Sequence, residues 1–262
     1  MSALKPTTVR FVPDEATSPD ELAIAALHLY AYTTAAGLVQ PGARVLDIGF
    51  GEGYGSRILT EAGAEYRGVE VDPEVVDHAC SRYGPFFERY DGTSISEPDD
   101  AFDVVVAFQM IAYLDDPQPL LREIGRVLRP AGVALLTTPN RVYRLDEGQR
   151  PWNRYHVREY SSSELADVLG KTFGNVTVHG VVAAEPIDSI VRARAARARK
   201  LARLDPLGLR YWLPERVNTP LRRAVRRTAQ PGADRSQFTL DRISHDEASA
   251  DRGLDLLAFA RH

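Results

Sequence analysis

The sequence predicts an α/β fold: a doubly wound, seven-stranded, mostly parallel sheet with a helical insertion before its last strand. Three observations predict it. Short β-type runs alternate with helical stretches from residue 44 onward. Val104-Val105-Val106 and Val133-Ala134-Leu135-Leu136 are apolar at successive positions, as in parallel strands buried on both faces. A first strand carrying Asp47 runs into Gly49-Phe50-Gly51-Glu52-Gly53-Tyr54-Gly55, a glycine-rich turn from strand to helix.

The elements follow in order. Thr17-Ser18-Pro19-Asp20-Glu21 starts a helix, with Ser18 as cap, Pro19 in the first turn and Glu21 completing a capping box. It is expected to reach about Leu38 and to stop at Pro41-Gly42. Strands are expected at Arg44–Ile48, Tyr66–Val71, Phe86–Tyr90, Phe102–Phe108, Val133–Thr138, Val176–Val182 and Leu254–Ala260. Helices are expected near Gly53–Glu61, Pro73–Arg82, Pro117–Leu128 and Ser162–Thr172. Arg129-Pro130-Ala131-Gly132 reads as a stop and turn. From about Glu185 to Asp251 the alternation is lost, and that basic, then polar, proline-containing stretch reads as the insertion.

Composition narrows the class. A chain of 262 residues buries enough surface to need no staples. Cys80 is the only cysteine, which excludes an internal disulfide and any multi-cysteine metal site. Met1 to Pro13 lacks the basic start and apolar run of a secretory signal, and no stretch approaches the roughly 20 apolar residues that span a bilayer. A cytoplasmic location is expected. The net charge of −4 hides an asymmetry: residues 192–227 carry twelve Arg or Lys against Asp205 and Glu215. That stretch reads either as a solvated helical face or as a patch for an anionic substrate or a membrane surface.

The glycine turn lets the backbone approach a ligand, and the next helix aims free N–H groups at the same place. Glu70, at a strand tip about 20 residues on, can accept both hydroxyls of a ribose. A nicotinamide dinucleotide fingerprint needs G-x-G-x-x-G, and counting from Gly49 the last position is Tyr54. Asp47 beside the turn suits a cationic amino group better than a pyrophosphate.

Val45-Leu46-Asp47-Ile48-Gly49-Phe50-Gly51-Glu52-Gly53 resembles motif I of the class I S-adenosylmethionine-dependent methyltransferases, and Gly68-Val69-Glu70 resembles their ribose-binding acid. Ala101-Phe102-Asp103-Val104-Val105-Val106 is similar to their fourth strand, and Arg126-Val127-Leu128-Arg129-Pro130-Ala131-Gly132 to the approach to the fifth. The resemblance implies a Rossmann-like methyltransferase fold and S-adenosyl-L-methionine as cofactor. It implies that Asp47 and Gly49 lie near the methionyl end, that Gly51, Gly53 and Tyr54 shape the turn, and that Glu70 and Val71 meet the ribose. Asp91 and Gly92, in Tyr90-Asp91-Gly92-Thr93, would meet the adenine, and Phe108-Gln109-Met110 would line the methyl-bearing side. The chain then divides into a cofactor-binding core with an N-terminal helical cover (1–184), a basic helical lid (185–251) and a returning last strand (252–262).

Thr137-Thr138-Pro139-Asn140-Arg141, Trp152-Asn153-Arg154-Tyr155-His156-Val157-Arg158-Glu159-Tyr160, Arg10-Phe11-Val12-Pro13 and His28-Leu29-Tyr30-Ala31-Tyr32 resemble a bacterial branch linked with sugar and glycan O-methylation. That implies a saccharide-containing or secondary-metabolite hydroxyl as acceptor. An N- or C-methyltransferase of small molecules and a cofactor-binding protein without methyl transfer are the alternatives, while nucleic acid is not expected as a partner. Homodimer formation is left open. Members of the branch carry an acid and a histidine after the fourth strand, where this chain has Ala112 and Tyr113. His156, in the loop after the fifth strand, is therefore the first candidate base and Tyr113 the second. Phe50 replaces a small motif I residue and is expected to pack on the neighbouring strand. No metal site is expected.

Overall fold

The computed structural model describes residues 12–151, 153–203 and 234–262. Trp152, the region before Val12, and the expected lid residues Tyr211, Trp212, Leu213, Arg222, Arg223, Arg226 and Arg227 lie outside the described residues. The strands are β1 (Arg44–Ile48), β2 (Glu65–Glu70), β3 (Phe87–Arg89), β4 (Phe102–Phe108), β5 (Leu128–Pro139), β6 (Asn175–Ala183), β7 (Ile243–Asp246) and β8 (Asp255–Arg261). They form one sheet in the order β3-β2-β1-β4-β5-β8-β6-β7. β1 to β5 are parallel, and β8 enters antiparallel between β5 and β6. The helices are α1 (Pro19–Ala36), α2 (Gly55–Glu61), α3 (Pro73–Tyr83), α4 (Gln118–Val127), α5 (Arg141–Arg144), α6 (Ser162–Leu169) and α7 (Ile187–Arg203).

The capping box forms as the sequence indicates: the Glu21 amide donates to Ser18 Oγ at 3.3 Å and the Ser18 amide to Glu21 Oε2 at 3.2 Å. Along β4 the side chains alternate between two cores. Val104 and Val106 join one with Tyr32, Leu59 and Leu135, whereas Val105 and Ala107 join the other with Leu121, Ile124, Leu136 and Leu165. Each fully buried leucine or isoleucine contributes about 1.5–3 kcal/mol, so covering both faces with helices is what stabilises the sheet.

Two expectations are corrected. The sheet has eight strands, not seven, because Ile243–Asp246 pairs antiparallel with Gly180–Ala183 at the edge. In Ile-Ser-His-Asp only Ile243 is buried, so a four-residue edge strand leaves almost no apolar pattern to read. β5 also begins at Leu128. The expected turn at Arg129-Pro130-Ala131-Gly132 is an irregularity within the strand, where the register against β4 shifts between Phe102 and Val104.

α7 takes up the start of the basic stretch and docks on α1 and α5. Arg197 reaches both Asp20 oxygens at 3.0 and 3.1 Å, and Arg203 reaches Asp146 at 2.8 Å. Arg199 donates to the Tyr143 carbonyl at 2.9 Å. β7 ties to the same cover, with 2.7 Å between Tyr30 Oη and His245 Nδ1. Among the described residues no helix is long and apolar enough to cross a membrane.

Candidate functional site

A cavity of about 200 Å³ opens at the carboxyl ends of β1, β2 and β4, where ligands bind in open α/β sheets. Its floor is the glycine turn, with Gly49, Gly51 and Tyr54. One wall is Glu70 and Val71, and the other is Phe108, Gln109 and Met110. α1 covers it through His28 and Tyr32.

Gly49 has φ +71°, and a Cβ there would stand 2.0 Å from Met110 Sδ, so the turn and the end of β4 touch only because no side chain intervenes. Gly51, at φ +58°, has no protein atom within 4 Å of a Cβ position, which leaves room for a ligand. Gly53 faces the other way, against Ala79 and Phe87, and shapes the turn without lining the cavity. Phe50 packs over Gly68 beside the Phe87 ring, 4.6 Å between centroids, as a bulky residue at that place was expected to do.

Asp47 ends almost wholly buried, at 1% exposure. Its Oδ2 accepts from Tyr32 Oη at 2.9 Å and Tyr66 Oη at 3.1 Å, while Oδ1 has no hydrogen-bond partner. Burial pushes its carboxyl up to about 7, against the lowering effect of the two phenols. A buried, half-satisfied carboxylate is stable only with a cation or a proton. The methionyl ammonium of adenosylmethionine is a cation of the kind this oxygen lacks.

Glu70 closes β2, and its Oε1 accepts from the Val71 amide at 2.7 Å. Burial raises its carboxyl, and the backbone amides of Val71, Asp72 and Gly51 partly offset that. The arrangement presents an acceptor to paired hydroxyls. Asp91 and Gly92 do not line the cavity. Asp91 is exposed and spends Oδ1 on its own turn, accepting from the Thr93 and Ser94 amides at 2.8 Å each.

The remaining wall carries Gln109, Tyr113, Thr137 and Asp255. Gln109 holds φ +61°, an unfavourable backbone for a side chain with Cβ. Its amide donates to the Thr137 carbonyl at 2.9 Å, and its Nε2 to Asp255 Oδ2 at 3.1 Å. Tyr113 is brought here by a short 3₁₀ turn after β4, and burial raises its phenol. His156 is not on the cavity wall. The loop 153–160 docks through the Val157 amide onto the Ala112 carbonyl at 2.8 Å, which sets the His156 ring edge-on to Tyr113 at 4.9 Å.

Behind Tyr113, His156 Nδ1 lies 3.1 Å from Glu159 Oε1. Burial lowers the imidazole, so it is neutral near pH 7 and donates from Nδ1 to the carboxylate. Burial also raises Glu159, but the Arg144 charge and the His156 bond outweigh it and hold the carboxyl below its usual range. The histidine thus braces Tyr113 from behind.

A family model described as a methyltransferase domain matches residues 22–177, more than half of the chain. The chain belongs to this methyltransferase family. A probable S-adenosylmethionine-dependent methyltransferase of Mycolicibacterium smegmatis is 37% identical over 129 residues, 49% of this chain and 50% of that protein. The ubiquinone biosynthesis O-methyltransferase of Xanthomonas campestris is 31% identical over 113 residues, 41% of this chain and 47% of that protein. The chain spans about half the length of the curated relatives it matches. The solved [4+2]-cyclase SpnF shares the fold, with a TM-score of 0.58 at 18% identity over 90% of this chain and 81% of that chain. S-adenosylmethionine is the cofactor its curated relatives are named for.

Four residues about the site were given no site role from the sequence: Tyr32 and Tyr66 on Asp47, His28 on the cover, and Asp255 on the last strand. His28 lines the cavity, its Nδ1 3.1 Å from Tyr54 Oη, and burial lowers it to about 4. His28 and Tyr32 sit one turn apart on α1, on the stripe that also buries Leu27 and Ala31. Polar rings on a core-facing stripe were the available signal. For Asp255 the signal was an acid opening the apolar run Leu256-Leu257-Ala258.

Proposed function

We propose that this protein transfers a methyl group from S-adenosyl-L-methionine to a hydroxyl of a saccharide-containing or secondary-metabolite acceptor. The observation that carries the cofactor half is Asp47 Oδ1, a buried carboxylate oxygen without a partner at the head of the glycine turn, just behind the cavity wall that Gly49 and Glu70 line. In this reading Asp47, Gly49 and Gly51 hold the methionyl end, Tyr54 closes over it, and Glu70 and Val71 hold the ribose. Asp91 and Gly92 are read as lying toward the adenine, beyond the cavity wall, with Asp91 Oδ1 held by its own turn.

The bound sulfonium supplies a methyl group on a good leaving atom. The chain's own contribution is alignment, worth several kcal/mol on general grounds, and the handling of the acceptor's proton. Tyr113 orients the acceptor by hydrogen bonding, and His156 with Glu159 keeps that phenol in place. Support for a hydroxyl acceptor comes from the polar wall of Gln109, Tyr113 and Asp255 and from the O-methyltransferase named among the relatives. A small-molecule acceptor or glycan fragment fits the cavity, and α7 is read as the first part of its lid.

Calorimetry with adenosylhomocysteine tests the cofactor half. Glu70→Ala is expected to weaken binding by about 10- to 100-fold, the loss of charge-assisted bonds to hydroxyls, with an unchanged melting temperature. Unchanged affinity would sink the assignment. Label transfer from methyl-labelled adenosylmethionine to glycan alcohols, compared with amines and enols, tests the acceptor half.

A further inference from the structure

β8 runs antiparallel between β5 and β6, so its first residue stands at the carboxyl ends of the parallel strands. Asp255 pairs with Pro139 on one side and Val181 on the other, and its side chain lines the same cavity as Gly49 and Glu70. Among the described residues Gln109 binds it directly, through Oδ2, and no described group donates a hydrogen bond to Oδ1. Gln109 is itself kept in a left-handed backbone conformation that costs on the order of 1 kcal/mol or more, as strained residues often are at sites of chemistry.

With the methionyl end assigned to Asp47 and the ribose to Glu70, the wall of Gln109, Tyr113 and Asp255 is what faces an incoming acceptor. His156 does not reach the cavity, and the Tyr113 phenol is a poor proton acceptor. We propose that Asp255 is the acceptor-side base, taking the proton of a hydroxyl or amine as that group attacks the donor methyl. A lone pair of the acceptor's oxygen or nitrogen forms the bond to the methyl carbon, while its O–H or N–H bond breaks toward Asp255 Oδ1 and leaves that bond's pair on the acceptor atom. The carbon–sulfur bond breaks, sulfur keeps its pair as a thioether, and the protonated Asp255 returns its proton to solvent. Burial raises the carboxyl to about 6, against the lowering charge of Arg144, which suits a base working near neutrality.

This proposal rests on the methyl-donor reading, and the test separates the two. Sinefungin carries a primary ammonium where adenosylmethionine carries its methylated sulfur, and adenosylhomocysteine carries no charge there. Calorimetry of both ligands at pH 8 with wild type and Asp255→Asn is expected to show sinefungin weakened about tenfold or more, with adenosylhomocysteine within about twofold. Asp47→Asn is expected to weaken both alike, since both have the amino-acid end, and Asp255→Glu to keep the sinefungin preference. Equal effects of Asp255→Asn on the two ligands, or none, would overturn the proposal. Wild type that binds neither ligand would instead overturn the methyl-donor reading.

Discussion

Replacing Asp47 with asparagine separates what the residue does for the fold from what it does for the ligand. In the folded protein its carboxyl is pushed up to about 7, burial outweighing the phenols of Tyr32 and Tyr66. In the unfolded chain an aspartate titrates near 3.9. Between those values the folded state holds a proton that the unfolded state has released, so wild-type stability falls as pH rises and levels off above about 7. From pH 5 to 7 that is two pKa units at about 1.4 kcal/mol each, or about 3 kcal/mol lost. The substituted asparagine cannot titrate and is spared this loss. Its Oδ1 can accept from both phenols, while its Nδ2 takes the unpartnered place at a pH-independent cost of about 1–3 kcal/mol.

The variant should therefore gain about 3 kcal/mol on wild type between pH 5 and pH 8. At roughly 2–4 °C per kcal/mol for a chain of this size, its melting temperature relative to wild type should rise by about 6–12 °C. Thermal melts of the ligand-free proteins at the two pH values measure it, and the other titrating groups cancel in the difference. Adenosylhomocysteine should reverse the order at pH 8, because only the carboxylate can pair with its ammonium. A melting difference that stays constant with pH would refute the account of Asp47 as a buried charge awaiting a cation.

Two further outcomes follow from the packing. Gly49→Ala should destabilise the protein by about 2–4 kcal/mol and abolish adenosylhomocysteine binding, since its methyl would collide with Met110 and force a left-handed alanine; denaturant melts and calorimetry check both. His156→Ala should cost about 2–4 kcal/mol by leaving Glu159 buried without its donor, yet change adenosylhomocysteine affinity by less than about threefold; a large affinity loss would place the imidazole on the cofactor instead of behind Tyr113.

The glycine-turn wall of the cavity was legible because it is built from consecutive residues. Asp47 through Tyr54, and Glu70 at the next strand tip, are placed by one strand–turn–helix and its neighbour, so spacing alone fixes their relations. The opposite wall, with Gln109, Tyr113 and Asp255, is assembled from parts distant in sequence. Gln109 reaches Asp255 across 146 residues, and Tyr32 reaches Asp47 from a helix whose resemblance to the branch implied no site role. No local period encodes such contacts; they follow from the antiparallel return of β8 and the docking of α1. His156 illustrates the limit. Its loop was placed at the correct end of the sheet, but only the bonds from Val157 and Arg158 to the Ala112 carbonyl show that it stops one layer short of the cavity.

The same distinction bears on the basic stretch. A charge count cannot tell a solvated patch from an interlocked one, because most of the acids that neutralise it lie elsewhere in the chain. In α7 Arg192 pairs with Asp188, Arg197 with Asp20 and Arg203 with Asp146, while Arg199 is spent on a backbone carbonyl. These contacts are partly exposed and individually weak, so the role of those made by Arg197, Arg199 and Arg203 is one of registry: they hold α7 over the cavity, where burial and then the charge of Arg194 keep the His28 imidazole neutral. What the composition presents as a cationic surface is, in this helix, largely the fastening of a cover to the core it closes.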